Sequence, residues 1–263
     1  MVVGESKYTL RTLKKGLALL EVLAESGDDL TLTEIAGRLH ESTTVVFRIL
    51  KTLLAADYVR QEPDTKRYRV GLRLWELGTR SLNRTGLRLI DDARPVLKWL
   101  TAMTGETSAL AVLRDTDSLY LDLVDGSEPL RVYAEAGARA PIYATASGKA
   151  MLAYAAPGLV DRVVRAGMKR LTPRTVTRAG QLRRRLAEIR RTGMAINQGE
   201  RRADIAALAA PVFDARGECV AAISISGPMA RFQGDNLETL KRHVRKASEE
   251  VSTKLGNGGA RER

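Results

Sequence analysis

Leu30-Thr31-Leu32-Thr33-Glu34-Ile35-Ala36, followed by Ser42-Thr43-Thr44-Val45-Val46-Phe47-Arg48-Ile49-Leu50-Lys51-Thr52-Leu53, reads as two short helices joined by a tight turn. The first opens on a capping box: Thr31 can accept from the first-turn backbone while Glu34 reaches back to the Thr31 N–H. Leu32, Ile35, Ala36 and Leu39 then recur at helical spacing, with Gly37 as a mild weakener. Ser42 is a good N-cap for a second helix running to about Ala56. Val46, Ile49, Leu50, Leu53 and Leu54 form its inward stripe. That leaves Thr43, Thr44, Phe47, Arg48, Lys51 and Thr52 outside, groups that contact phosphates, hydrogen-bond base edges or touch thymine methyls. Phe47 has two readings, contact with DNA or burial against the following strands. Tyr58-Val59-Arg60 and Lys66 to Val70 are strand-like, with Pro63-Asp64-Thr65 as the turn between them. Tyr68 and Val70 alternate with Arg67 and Arg69, so one strand face packs and the other offers charge. Two helices followed by a strand pair is the order of a winged helix-turn-helix.

Working outward, Leu10 to Ala24 has an amphipathic pattern, with Leu13, Leu17, Leu20 and Leu23 on one side and Arg11, Lys14, Lys15 and Glu21 on the other. It completes a three-helix unit. Gly71 closes the wing, and Leu72 to Leu82 is helical and apolar enough to need a partner surface, for which a second copy of the chain is the natural occupant. The chain then divides near residue 82. Gly86 to Met103 reads as a helix. Strands are expected at Ala109 to Arg114, Ser118 to Val124, Leu130 to Ala134, Met194 to Asn197, Leu208 to Phe213 and Val220 to Ser226. Helices are expected at Gly148 to Tyr154, Leu159 to Ala166, Ala179 to Arg191 and Gln233 to Leu255. Strands in adjacent runs with helices grouped around them predict an α+β domain with an antiparallel sheet.

The 263 residues, 44% of them hydrophobic, can bury a sizeable core. A net charge of +12 favours a polyanionic partner, yet residues 1–82 carry only 13 Lys/Arg against 11 Asp/Glu, and residues 83–263 carry 30 against 20. The excess clusters at Arg183-Arg184-Arg185, Arg190-Arg191 and Lys241 to Lys246, which reads first as solvated helix faces. Cys219 is the only cysteine, so no intramolecular disulfide forms and a cytoplasmic location is expected. No signal-peptide pattern stands at the N-terminus. No stretch approaches the roughly 18 uninterrupted apolar residues of a membrane helix, so no membrane partner is expected.

Three places in the second half suit a small ligand. Alternation along Val220 to Gly227 puts Ser224 and Ser226 on one face of an otherwise apolar strand, and buried hydroxyls need partners, whether a ligand or neighbouring groups. Pro141 to Lys149 is a turn of small residues entering a helix, where free N–H groups at Ala146, Ser147 and Gly148 favour an anion. Asn197-Gln198-Gly199-Glu200 with Asp204 gathers polar groups at a strand end, although carboxylates in such a loop are usually solvated.

These residues resemble the IclR family of bacterial transcriptional regulators. The likeness is strongest from Ser42 to Leu53, which looks like that family's recognition helix. It continues at Pro141 to Ala150, Gly193 to Phe213 and Ala221 to Pro228, covering nearly the whole chain. The resemblance implies a winged helix-turn-helix domain and linker helix over residues 1–82, and a GAF/PAS-like effector-binding and oligomerisation domain over 83–263. It implies operator DNA, a small-molecule effector and a homodimer or pair of dimers, with RNA polymerase a further partner for an activator. Two copies of the recognition helix would enter successive major grooves, with Thr44, Arg48 and Thr52 at base edges and Ser42, Thr43, Lys51, Lys66 and Arg67 on phosphates. It places the effector, a small organic acid or aromatic metabolite, against Ala146, Ser147, Asn197, Ala207, Ser224 and Ser226. Tyr143 stands where the family commonly has His, and Ala207 where a polar or sulfur-bearing side chain occurs. Repression is the family's more frequent habit.

Two other classes remain open on sequence alone. A DNA-binding scaffold would use the second domain only to dimerise. An enzyme would need catalytic groups, yet the only histidines are His40 and His243. No metal-ligand spacing, Gly-x-Ser-x-Gly nucleophile motif or dinucleotide loop appears, so no metal, cofactor or catalytic residue is expected.

Overall fold

The computed structural model of the chain describes residues 9–85, 87–132 and 135–257. Its contacts group into two compact units, residues 1–87 and 88–263.

The first unit contains α1 (Arg11–Glu25), α2 (Leu32–Leu39), α3 (Thr43–Ala55), β1 (Val59–Gln61), β2 (Tyr68–Val70) and α4 (Leu72–Thr85). The expected capping box opens α2: Thr31 Oγ1 accepts from Glu34 N at 3.3 Å and Glu34 Oε2 accepts from Thr31 N at 2.7 Å. His40 closes α2 in the left-handed region, and the chain turns into α3. β1 and β2 pair antiparallel with Val59 opposite Val70, and Leu30 bridges Tyr68, tying the start of the motif to its wing. Gly71 ends the wing because a Cβ there would lie 2.2 Å from the Asp57 carbonyl oxygen. Leu19, Leu23, Leu30, Ile35, Val46, Ile49, Leu50, Val59 and Tyr68 form the core. Each such aliphatic side chain contributes about 1.5–3 kcal/mol by burial.

The stripe expected on α1 is corrected. Gly16, Leu19 and Leu23 face the core, whereas Leu13 and Leu17 are 60% and 55% exposed. Leucines stand at positions 13, 17, 19, 20 and 23 of this helix, so their spacing alone did not single out the buried face. The absence of a side chain at Gly16 lets Ile49 of α3 approach: a Cβ there would sit 3.7 Å from Ile49 Cγ2.

The second unit contains α5 (Leu87–Thr104), β3 (Thr107–Arg114), β4 (Asp117–Val124), β5 (Arg139–Pro141), α6 (Ala146–Leu152), α7 (Pro157–Ala166), α8 (Ala179–Thr192), β6 (Ala195–Gln198), β7 (Ile205–Phe213), β8 (Cys219–Pro228) and α9 (Gly234–Lys254). Gly86, where α5 was expected to begin, lies outside the described residues. The strands form one antiparallel sheet in the order β5-β4-β3-β8-β7-β6. The fold is therefore α+β, as the grouping of strands predicts. One face of the sheet, with Leu110, Leu208, Val212, Ile223 and Ile225, packs against Leu97 and Leu100 of α5 and Val244 and Val251 of α9. The other face carries small residues, Ala111, Ala209 and Ala222, under Ile142, Met151, Leu182 and Leu186.

The strand expected from Leu130 to Ala134 does not form at Arg131 and Val132, and Tyr133 and Ala134 lie outside the described residues. The Val132 carbonyl instead accepts from the Thr107 hydroxyl at 2.8 Å, so a side chain takes the place of a ladder partner. The sheet edge is supplied by β5, three residues long and ending in Pro141.

Candidate functional site

The α3 face opposite the core is exposed at Thr43, Thr44, Phe47, Arg48, Lys51 and Thr52. Local bonds set what each can offer. Ser42 Oγ caps the helix by accepting from Val45 N at 3.4 Å, which leaves its proton free to donate. Thr52 donates to the Arg48 carbonyl at 3.1 Å, which leaves only acceptor capacity. The Arg48 guanidinium has no hydrogen bond or ion pair among the described residues. Phe47 is 43% exposed with Lys51 Nζ 5.4 Å from its ring centroid, so it is not buried by the wing. Lys66 sits at the wing tip with φ 57° and an exposed side chain. Arg67 differs from its neighbours: its Nη1 donates to the Asp29 carbonyl at 2.7 Å and pairs with Glu34 at 3.2 Å, which holds it back onto the motif. Those bonds to Thr31, helped by Arg67, hold the Glu34 carboxyl below its ordinary range.

In the second unit, Ser224 lies opposite Ala109 on β3 and Ala209 on β7, and Ser226 opposite Thr107 and Ala207. Directly paired residues share a face, so the hydroxyls stand among small side chains. The room this leaves is a cavity of about 350 Å³, within the usual range for small-ligand sites. Ala146, Ser147, Asn197, Ala207, Ser224 and Ser226 all line it, together with Ala109, Leu123, Val132 and Ile205. Ser147 and Ser224 are almost wholly buried.

Local bonds set what three neighbouring residues can offer. Gly148 lies behind the wall: its N–H donates to Thr145 Oγ1 at 3.0 Å, so it offers no free donor to an anion. A Cβ there would lie 2.4 Å from the Ile142 carbonyl oxygen, which is why the residue is glycine. Tyr143 is buried and donates to the Lys169 carbonyl at 2.9 Å; it does not line the cavity. Asn197 is largely committed to the backbone, donating to the Ala144 carbonyl at 2.6 Å and accepting from Glu200 N at 2.9 Å.

Glu200, expected in solvent, is buried instead. It pairs with Lys149 of α6, whose side chain is 1% exposed and whose Nζ also donates to the Ile196 carbonyl at 3.1 Å. Burial lowers the Lys149 pKa, opposed by Glu200 and reinforced by Arg185. The Glu200 carbonyl accepts from Thr175 Oγ1 at 2.6 Å. One buried pair thus joins α6, β6 and the loop before α8 behind the cavity wall. Tyr120, Leu123, Val132, Glu135, Arg201 and Arg202 also line the cavity. The sequence reading missed them, since neither alternation nor spacing marks those positions.

A winged helix with an unencumbered polar face, carried in one chain with a sheet domain that encloses a ligand-sized cavity, defines a DNA-binding regulator with a sensory domain. Residues 12–63 match the IclR helix-turn-helix domain, and residues 81–253 match the family described as bacterial transcriptional regulator IclR C-terminal. The chain is similar to the HTH-type transcriptional regulator BhcR of Paracoccus denitrificans, at 35% identity over 95% of this chain and 88% of that protein. It is 32% identical to the HTH-type transcriptional repressor AllR of Klebsiella pneumoniae, over 94% of this chain and 90% of the repressor. Its fold matches that of an IclR homologue from Microbacterium hydrocarbonoxydans solved with 4-hydroxybenzoate. The TM-score there is 0.84 at 27% identity, covering 93% of this chain and 98% of the homologue. The chain belongs to the IclR family of bacterial transcriptional regulators.

Proposed function

We propose that this chain is an operator-binding regulator, working as a repressor, whose hold on DNA is set by a small organic acid bound in the cavity of the second unit. Residues 1–82 act as the DNA-binding domain with its linker helix and 83–263 as the effector-binding and oligomerisation domain. On DNA, Thr44, Arg48 and Thr52 read base edges; Ser42, Thr43, Lys51 and Lys66 contact phosphates; and Phe47 packs against thymine methyls or sugars. Arg67 serves chiefly to brace the wing through Asp29 and Glu34.

The observation that carries the sensory reading is the cavity itself, with two nearly buried hydroxyls, Ser147 and Ser224, beside small and apolar side chains such as Ala109, Leu123, Ala146 and Ala207. That an IclR homologue was solved with 4-hydroxybenzoate supports an organic acid as the ligand class. Leu13 and Leu17 on α1, with Leu72 and Trp75 on α4, leave large apolar side chains in water, which supports pairing of two copies. Two paired recognition helices would read a two-fold symmetric site. The effector then acts by preferring one arrangement of the paired DNA-binding units, with α4 as the connection. A chain that works on chromosomal DNA works in the cytoplasm, and no described helix is long and apolar enough to cross a membrane.

The test is fluorescence anisotropy on an operator selected from genomic fragments, with and without small acids. Ser224→Ala combined with Ser226→Ala should weaken the acid's effect while leaving binding without acid intact. An unchanged acid response in that variant would refute the cavity assignment.

A further inference from the structure

We infer that Arg201 and Arg202 form the anion-reading end of the cavity, so that the effector carries a carboxylate at its outer end and a neutral hydrogen-bonding group at its inner end. This rests on the cavity being the effector site. Among the described residues, the lining holds no lysine and no arginine besides these two. Its other uncharged polar side chains are the hydroxyls of Tyr120, Thr145, Ser147, Ser224 and Ser226 and the amide of Asn197, whose oxygen and one donor are already used by the backbone. Neither guanidinium has a hydrogen bond or ion pair to any described residue. Glu135 is the one carboxylate in the lining and has a contact of its own, and Asp204 in the same turn pairs with neither arginine.

The turn that bears them is fastened on both sides. Gly199, with φ 76°, donates to the Ile205 carbonyl at 2.9 Å, and Ile205 N donates to the Arg202 carbonyl at 3.2 Å. Immediately before the pair, Glu200 is held through Asn197, Thr175 and the buried Lys149 ammonium. Consecutive arginines on a fixed turn lose less freedom on capturing a carboxylate than they would on a loose one, and a planar guanidinium fork suits its two oxygens. The lining also includes Ala109, Leu123 and Ile205, which suit a short apolar or aromatic body.

The experiment is thermal unfolding and calorimetry of the full chain with 4-hydroxybenzoate, 4-hydroxyphenylacetate and glycolate, each beside its neutral amide. At least one acid should bind and stabilise the wild type while its amide does not. Arg201→Gln with Arg202→Gln should weaken that acid by about tenfold or more, and the double lysine variant should keep part of the affinity. Both arginines are exposed, so the variants should keep the wild-type circular dichroism. Acid binding unchanged in the glutamine variant, amides binding as well as acids, or no acid binding the wild type overturns the inference. If the Ser224→Ala, Ser226→Ala variant loses the acid and the glutamine variant keeps it, the cavity reading stands and the arginine assignment falls. If only the arginine variant loses it, the acid sits outside the cavity, and both the cavity reading and this inference fall.

Discussion

Lys149→Met tests whether the buried ion pair behind the cavity organises the second unit. The Lys149 side chain is 1% exposed and that of Glu200 10%, and among the described residues the ammonium is the only cation paired with the carboxylate. Glu200 Oε2 already lacks a partner, so removing the ammonium leaves both carboxylate oxygens without a counter-charge in a low-dielectric wall. Methionine fills nearly the same volume, which keeps the cavity contribution small. Breaking one side of a buried pair costs about 3–5 kcal/mol. A domain's whole stability is about 5–15 kcal/mol. The Lys149→Met, Glu200→Leu double variant removes the stranded charge as well, and should recover most of the loss. Urea unfolding followed by Trp99 fluorescence in a Trp75→Phe background isolates this unit, since Trp75 and Trp99 are the two tryptophans and stand in different units. Trp99 is a local reporter there, with Lys246 Nζ 4.9 Å from its ring centroid and His243 edge-on. A loss below about 1 kcal/mol in the single variant, or a double variant less stable than the single, would refute the reasoning.

Other consequences follow from single contacts. Arg48→Ala should weaken operator binding by about 1–3 kcal/mol and relax preference at one base position; Lys51→Ala should weaken all sequences alike and lower the salt slope by about 1. Competition binding across single-base operator variants separates the two, and a uniform loss for Arg48→Ala would move it to the phosphate class. Because the Glu34 pKa is lowered from 4.5 by its bonds to Thr31, its contribution to the first unit is present above that value and lost as pH falls through the lowered one. Glu34→Gln should therefore flatten the acid limb of the unfolding profile followed at Trp75, and an unaltered limb would speak against the capping box. Gly227→Ala would place a Cβ 2.0 Å from Glu106 Oε2, on a carboxylate 2% exposed and gripped by Arg231. It should destabilise the second unit by about 1–3 kcal/mol in urea, and a neutral result would show that Glu106 can move.

The winged helix was legible because its signals are local. The capping box at Thr31 and Glu34, the Ser42 cap and the Val46, Ile49, Leu50 stripe each decide a structure within a few residues. The α1 face was not legible, since leucines lie on both sides and the choice rests on how closely Gly16 lets α3 approach. In the second unit, two-residue alternation gave Ser224 and Ser226 their common face, and the register then brought Ala109, Ala207 and Ala209 beside them. The Lys149 to Glu200 pair spans 51 residues of sequence, and solvation is the ordinary state of a loop carboxylate. Arg201 and Arg202 resemble any other arginines of a chain with 43 basic residues; only the fastening of their turn sets them at the cavity.

The most direct measurement of the central claim is a footprint of the purified chain on DNA upstream of its own gene and on fragments selected from the genome, at physiological salt with excess nonspecific DNA. A protected, two-fold symmetric site whose occupancy changes when a small acid is added is the expected result. Binding that is indifferent to sequence on every fragment, or a protected site that no acid alters, would contradict the reading of this chain as a ligand-responsive operator-binding regulator.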